Sequence, residues 1–314
     1  MIVVTGGAGF IGSNLVKSLN EKGLSDIIVV DSLRQTEKWK NLVGKQIAQY
    51  YDKAEFLELI ENSSFANEIS AIAHLGACSS TTELDAAYMM ENNYRYSQRL
   101  ALVAAKHGVR FVYASSAATY GDGSDGFDDD VELLEKLKPL NVYAYSKHLF
   151  DLWAKKEGLL ESICGLKFFN VYGPNEYHKG PMQSVILKAF EQICEKGQVK
   201  LFKSYRKDYA DEDCCETLSQ LLSEHKDTAG IFNIGSGKAR SWNDLAKATF
   251  SALEKTPKIE YIEMPDSLKG KYQYYTEAPV SKISSALGNY SPAGLEKGVA
   301  SYVQRHLMKD KAFR

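Results

Sequence analysis

Residues 1–12 read Met1-Ile-Val-Val-Thr-Gly-Gly-Ala-Gly-Phe-Ile-Gly12, and this stretch decides the fold. Residues 2–4 are apolar and β-branched, as in a strand buried on both faces. Three glycines follow at three-residue spacing: Gly6, Gly9 and Gly12. A helical pattern then begins, with Ile11, Leu15, Val16 and Leu19 on one face. Strand, glycine turn and helix form the context in which a dinucleotide fingerprint has physical meaning. Gly6 permits the tight turn, Gly9 lets backbone approach a pyrophosphate, and Gly12 lets the helix lie against the strand. The free N–H groups at the helix start then face the phosphate charge. The next apolar run, Ile27 to Val30, ends at Asp31, roughly 20 residues past the last glycine, where an acid can hold an adenosine ribose. The unit as a whole points to a nicotinamide-type dinucleotide.

At 314 residues the chain suits one large domain or two smaller ones. A net charge of −2 gives no reason to expect nucleic acid or an anionic membrane as partner. No apolar stretch reaches the length of a membrane span. A strand starting at residue 2 leads us to expect no signal peptide before the fold and a cytoplasmic protein. The five cysteines are odd in number and follow no disulfide or metal spacing, so they read as reduced thiols. The six histidines form no ligand pair, and no metal site is expected.

Strand-like segments at Ile2–Thr5, Ile27–Val30, Ala71–His74, Arg110–Ala114 and Ile163–Phe169 alternate with helical patterns, among them Thr82–His107 and Tyr143–Lys156. Such alternation predicts an α/β fold, a doubly wound parallel sheet of Rossmann type. Ligands of such a sheet lie beyond the carboxyl ends of its strands, where Gly6, Asp31, Gly76 and Ser115–Ser116 fall. After Asn170 the pattern loosens. A loop over 171–180, a helix near 182–195, short strands near 200–202 and 231–234, and a helix capped by Ser241 and running to Leu253 suggest a smaller mixed α/β lobe. We therefore expect a dinucleotide domain over 1–170 and a substrate lobe over 171–314, with segments free to cross between them.

The chemistry concentrates in two motifs. Ser115-Ser116-Ala-Ala-Thr119-Tyr120-Gly121 follows the fourth of these strands, and Tyr143-Ala-Tyr-Ser-Lys147 comes 27 residues after Ser116. On a helix, positions i and i+4 share a face, so Tyr143 and Lys147 project together. An ammonium beside a phenol stabilises the phenolate and lowers its pKa. A tyrosine so tuned can exchange a proton with a sugar hydroxyl while hydride moves to the nicotinamide, with Ser116 fixing that hydroxyl. Tyr-x-x-x-Lys alone would equally suit an amphipathic surface helix.

Fingerprint, serine and Tyr/Lys pair together resemble the extended short-chain dehydrogenase/reductases that act on nucleotide sugars. Further segments resemble the ADP-L-glycero-D-manno-heptose 6-epimerase family within them. They are His74-Leu-Gly-Ala-Cys-Ser-Ser-Thr-Thr-Glu83, Tyr88-Met-Met-Glu-Asn-Asn-Tyr94, Phe168-Phe-Asn-Val-Tyr-Gly-Pro174, His178-Lys-Gly180 and Leu268-Lys-Gly-Lys-Tyr272. The resemblance implies inversion of C-6 of an ADP-linked heptose through a 6-keto sugar, with tightly bound NADP(+). It implies Tyr143 and Lys179 as the two acid/base groups, with Ser116 and Lys147 assisting. It also implies a homo-oligomer, a pentamer being one form. Lys179 alone could be an ordinary loop lysine.

For the cofactor, Asp31 suits a 2′-hydroxyl and NAD, whereas Arg34, Lys38 and Lys53 suit a 2′-phosphate and NADP. Lys38 and Lys53 match family cofactor positions, so NADP is the expectation, with NAD open. Other matched cofactor positions are Gly6, Gly9, Phe10, Ile11, Gly12, Asp31, Ser32, Leu75, Gly76, Ala77, Cys78, Ser79, Asn92, Lys147, Val171 and Lys179. On the substrate side the resemblance marks Ser116, Asn170, Pro181, Phe202, Lys203, Ser204, Tyr205 and Tyr272. One departure stands out. Tyr205-Arg-Lys-Asp-Tyr-Ala-Asp-Glu-Asp213 runs directly into Cys214-Cys215, roughly ten residues short of the family pattern by usual loop lengths. The family's substrate arginine has no secure counterpart, Arg206 being the nearest guanidinium. A natural deletion and an absent segment both stay open.

Three rivals remain. A hexose 4-epimerase needs no second base at Lys179. A sugar dehydratase needs a carboxylate pair after the serine, where this chain has Ala117 and Ala118. A non-catalytic nucleotide-sugar-binding protein could use the same scaffold.

Overall fold

The computed structural model describes residues 1–62, 64–202, 215–264, 276–288 and 290–309. Seven parallel strands form the main sheet among these residues: β1 (Ile2–Thr5), β2 (Ile27–Val30), β3 (Gln49–Tyr51), β4 (Ala71–His74), β5 (Arg110–Ser116), β6 (Cys164–Phe168) and β8 (Gly230–Ile234), in the order β3-β2-β1-β4-β5-β6-β8. A second, two-stranded parallel sheet pairs β7 (Val199–Phe202) with β9 (Ile259–Ile262). The doubly wound α/β fold is thus as the apolar runs predicted. β2 and β4 are buried at every residue, which is why they read as unbroken apolar stretches rather than alternating ones.

The helices are α1 (Phe10–Glu21), α2 (Lys53–Asn62), α3 (Ala86–Met89), α4 (Tyr96–His107), α5 (Val142–Lys156), α6 (Val185–Lys196), α7 (Cys215–Ser223), α8 (Trp242–Ala252), α9 (Ser281–Leu287) and α10 (Leu295–Tyr302). One face of the main sheet packs on α1, α7 and α9 through Leu15, Leu19, Leu218, Leu222, Ile283 and Leu287. Another core joins Val3, Ile28 and Phe111 to Phe56, Leu100 and Phe150 of α2, α4 and α5. A further core joins α6, α8 and α10 through Leu187, Phe190, Leu245, Val299 and Tyr302. Among the described residues no helix is long and apolar enough to cross a membrane.

Several boundaries shift for identifiable reasons. The helix expected from Thr82 begins at Ala86, because Asp85 accepts the Tyr88 N–H and caps it there. Its middle, Met90–Arg95, winds as a π-helix before α4 continues. The helix expected near residue 182 starts at Val185, where Ser184 caps the Leu187 N–H. Gly180, at φ 52°, and Pro181 break the chain before it. The strand expected to end at Ala114 continues to Ser116, paired with Phe168. Most consequentially, the strand near 231–234 belongs to the main sheet, beside β6. Chain after residue 170 therefore serves both sheets: α6 and β7 begin the second layer, α7 and β8 then complete the seven-stranded sheet, and α8 and β9 return to finish the β7–β9 layer. Ser241 and Asp244 make the full capping box at α8.

Candidate active site

The strand order reverses direction between β1 and β4, so their carboxyl ends splay into a crevice. Gly6 sits there at φ +66°, and a Cβ on it would lie 2.8 Å from the Gly76 Cα. A Cβ on Gly9 would lie 3.0 Å from the Gly6 carbonyl oxygen, and one on Gly12 would lie 2.8 Å from the Gly7 Cα. The two strand ends and the helix start meet at backbone distance. This gives a cradle that only glycine leaves open, and it fits a pyrophosphate.

Asp31 closes the next step. It is buried, and its carboxylate accepts the Ala8 N–H at 3.0 Å, the Ser32 N–H at 2.7 Å and the Lys38 Nζ at 2.6 Å. The carboxylate expected to meet a ribose is therefore already paired with Lys38. Beside it lies a cavity of about 200 Å³ lined by Ser32, Arg34, Lys38, Lys53, Asn92 and their neighbours. Arg34 holds a left-handed φ of 44°, rare outside glycine. Lys53 is bonded to the Asn92 side chain. Burial, and then the Arg34 charge, push the Lys53 ammonium below its ordinary pKa. Three cationic side chains line this small cavity, Lys38 paired with Asp31 and Arg34 and Lys53 beside it, a set that suits an anion.

That cavity adjoins a larger one of about 1220 Å³, and Gly6, Asp31, Lys38, Gly76, Ala77 and Cys78 line both. The larger cavity brings together Ser116, Tyr143, Lys147 and Lys179 with Phe10, Ile11, Leu75, Ser79, Asn170, Val171, Pro181 and Phe202. Every expected site residue within the described residues thus lines one cavity or the other. Lys203, Ser204, Tyr205 and Tyr272 lie outside the described residues, as does Arg206.

Asn141 caps α5 by accepting the Ala144 N–H at 2.9 Å, which starts the helix one turn before Lys147. Tyr143 bonds the Ser116 hydroxyl. Lys147 is buried and donates to the Ala114 carbonyl at 2.7 Å. Burial holds the Tyr143 phenol above its ordinary pKa, the Ser116 bond pulls it back, and the Cys78 thiol adds to the rise. The Lys147 ammonium is turned to the Ala114 carbonyl. Burial brings Lys147 down to about 8, opposed by Asp151.

Lys179 rides on the loop between β6 and α6, its Nζ 5.2 Å from the Phe10 ring centroid. Burial lowers its pKa, Glu176 raises it and Lys188 lowers it again. This loop is fastened at several points. Asn14 donates to the Pro174 carbonyl at 2.8 Å, and Asn175 donates to the Ser13 hydroxyl at 3.0 Å. Asn41 donates to the Ala8 carbonyl at 2.9 Å and the Asn175 carbonyl at 3.3 Å. The loop carrying Lys179 is therefore built onto the glycine turn. A phenol with a serine partner and a partly buried amine in one cavity can exchange protons at two points of one ligand.

The sequence profile of the NAD dependent epimerase/dehydratase family matches residues 2–235. The chain belongs to the NAD dependent epimerase/dehydratase family. It is 51% identical to an ADP-L-glycero-D-manno-heptose-6-epimerase of Nitratidesulfovibrio vulgaris over 98% of each chain. It is 44% identical to the corresponding protein of Fusobacterium nucleatum over 100% of each. Among solved structures, the ADP-L-glycero-D-manno-heptose-6-epimerase of Helicobacter pylori superposes with a TM-score of 0.80 at 27% identity, covering 97% of this chain and 95% of that one.

In this epimerase/dehydratase chain one central residue escaped the sequence reading. Asn93 is fully buried in the π-helical turn. Its side-chain oxygen accepts the Cys78 N–H at 2.8 Å, and its amide donates to the Cys78 carbonyl at 2.9 Å and the Ser146 hydroxyl at 3.0 Å. Ser146 in turn donates to the Tyr143 carbonyl at 2.7 Å. Asn93 therefore ties the loop after β4 to the start of α5. The extra residue of the π turn lets Asn92 meet Lys53 while Asn93 points inward, a use of π geometry that recurs at functional sites. The Asn92-Asn93 pair in the sequence was the available signal.

Proposed function

We propose that this protein inverts C-6 of the heptose in ADP-D-glycero-D-manno-heptose, giving the L-glycero epimer through a transient 6-keto sugar. The observation that carries the reading is that Tyr143 and Lys179, from different elements, open onto the same large cavity as Ser116 and the glycine turn. Inversion by oxidation and re-reduction needs a proton moved at the C-6 oxygen in each of two sugar orientations, and two acid/base groups meet that need. The family relatives at 51% and 44% identity carry this activity in their names. Ala117 and Ala118 after Ser116 leave that strand end without the carboxylates that water elimination requires.

In this mechanism Ser116 donates to and orients the sugar hydroxyl, and Tyr143 takes or returns its proton. Lys147 holds a positive charge at the floor of the site. Lys179 serves the oxygen when the sugar has turned. A bound nicotinamide supplies the hydride acceptor and donor. Gly6, Gly9 and Gly12 would hold its pyrophosphate and Asp31 its adenosine ribose. We assign NADP rather than NAD, on the strength of Arg34 and Lys53 at the small cavity beside Asp31. The substrate itself is ADP-heptose, and a homo-oligomer is the expected assembly.

The test pairs Tyr143→Phe with Lys179→Met, following C-6 configuration by NMR. Each variant should lose turnover by about 100-fold or more while retaining cofactor, since a positioned acid/base group contributes 10²–10⁴-fold. Full activity in Lys179→Met would return the reading to a single-base epimerase.

A further inference from the structure

Beneath the proton-transfer site lies a buried ion pair that the mechanism above does not use. Asp151 and Lys167 are both fully enclosed, with Lys167 Nζ 3.3 Å from Asp151 Oδ2. Taking two charges out of water is costly unless their remaining hydrogen-bonding capacity is met. Here it is met by groups that lead to the site. Asp151 accepts the Tyr113 hydroxyl at 2.9 Å and the Ser115 hydroxyl at 2.7 Å. Lys167 donates to the Thr119 hydroxyl at 2.6 Å, and Thr119 donates to the Ser116 carbonyl at 2.8 Å.

The end of β5 is consequently gripped at three successive residues. Lys147 holds the Ala114 carbonyl, Asp151 holds the Ser115 side chain, and Lys167 holds the Ser116 carbonyl through Thr119. Asp151 also stands one helical turn after Lys147, on the same face of α5. The ionisable groups that face Lys147 are Asp151 on its own helix and His74 on β4, with Tyr143 one turn earlier and Lys167 on β6 beyond Asp151. His74 is neutral, so Asp151 is the carboxylate that opposes the cost of burying the Lys147 charge.

We infer that Asp151 is a positioning residue for the proton-transfer site: it fixes the strand end that presents Ser116 and supplies the negative charge that keeps Lys147 an ammonium. This rests on the reading of Ser116, Tyr143 and Lys147 given above. Lys147 must be protonated to do its work, so activity is lost as pH rises through its pKa. Removing the Asp151 charge moves that loss to lower pH.

The experiment uses full-length protein with lysine labelled at Cε. The Lys147 resonance is titrated by NMR, and kcat and KM for ADP-heptose epimerisation are measured against pH. In Asp151→Asn the Lys147 midpoint should move to lower pH. The high-pH limb of kcat should move with it, and kcat at pH 8 should fall about tenfold or more with KM little changed. Lys167→Met keeps the Asp151 charge, so its Lys147 midpoint should not fall. Should Asp151→Asn fail to fold around an unpaired Lys167, the double variant Asp151→Asn/Lys167→Met carries no unpaired buried charge and should show the same downward shift. An unmoved Lys147 midpoint in the folded variants, or an equal fall in Lys167→Met, would overturn the inference. Absence of epimerisation in the unmodified protein would sink the proposed substrate instead, and the NMR midpoint would still decide the role of Asp151.

Discussion

The Tyr302 hydroxyl donates to Glu176 Oε1 at 3.0 Å, joining α10 to the loop that carries Lys179. Glu176 is fully buried, and its carboxylate also accepts the Ser184 hydroxyl at 2.7 Å, the Ser184 N–H and the Gly173 N–H at 3.4 Å. Four donors converge on one enclosed charge, which is what makes its burial tolerable. Helix α10 is thereby part of the support for the loop that carries Lys179.

Tyr302→Phe tests that link. It removes one hydrogen bond to a charged acceptor and leaves the ring packing, so stability should fall by about 1.5–3 kcal/mol in a urea melt. A change below about 0.5 kcal/mol would mean that the other three donors suffice and that α10 does not brace the loop.

Much of this arrangement was legible in the sequence, and its limits have physical causes. The glycine spacing dictated the β1–α1 turn, because close backbone approach leaves a fixed residue signature. Tyr143 and Lys147 could be placed together because helical periodicity is local. Glu176, Asp151 and Asn93 could not be found that way: Tyr302 is 126 residues from Glu176, and Ser146 is 53 from Asn93. Partnerships over such separations are set by the fold and leave no spacing to read. The strand Gly230–Ile234 was visible as a strand, but its place beside β6 depends on the route of α7, which short-range patterns do not encode. Helical spacing placed Lys147 on the face of Tyr143, but the Ala114 carbonyl that its ammonium meets lies on β5 and had no spacing to announce it.

The cofactor assignment predicts unequal losses. Arg34→Ala and Lys53→Ala should each weaken NADP(+) binding about tenfold or more, the worth of one hydrogen bond to a charged group. NAD(+) binding should change by less than about threefold, since it lacks the 2′-phosphate those cations would meet. Competition binding with the two nucleotides reads this directly. Equal losses for both would place the two cations on a part that NAD and NADP share.

His74 gives the fold a pH dependence. Its ring bridges the Thr5 hydroxyl at Nδ1 and the Ser97 hydroxyl at Nε2, each at 2.7 Å. Ser97 donates onward to the Asn93 carbonyl, so it accepts from Nε2–H, and Nδ1 accepts from Thr5. Burial, with the Lys147 charge adding, pushes His74 from 6.5 to about 3. Below pH 6.5 the unfolded chain gains a proton that the folded chain refuses, so the unfolded state binds more protons. The stability this group contributes is full above pH 6.5 and is lost as pH falls toward 3. Urea midpoints should therefore drop between pH 7.5 and pH 5, and His74→Asn should flatten that drop while lowering stability overall. An unchanged slope in the variant would assign the acid sensitivity to other groups.

The central claim is the reaction itself, and it is tested most directly by incubating purified protein with ADP-D-glycero-D-manno-heptose and following the C-6 configuration by NMR. Appearance of the L-glycero epimer is the predicted result. An unchanged D-glycero sugar, with NADP(+) and NAD(+) each supplied in turn, would contradict it.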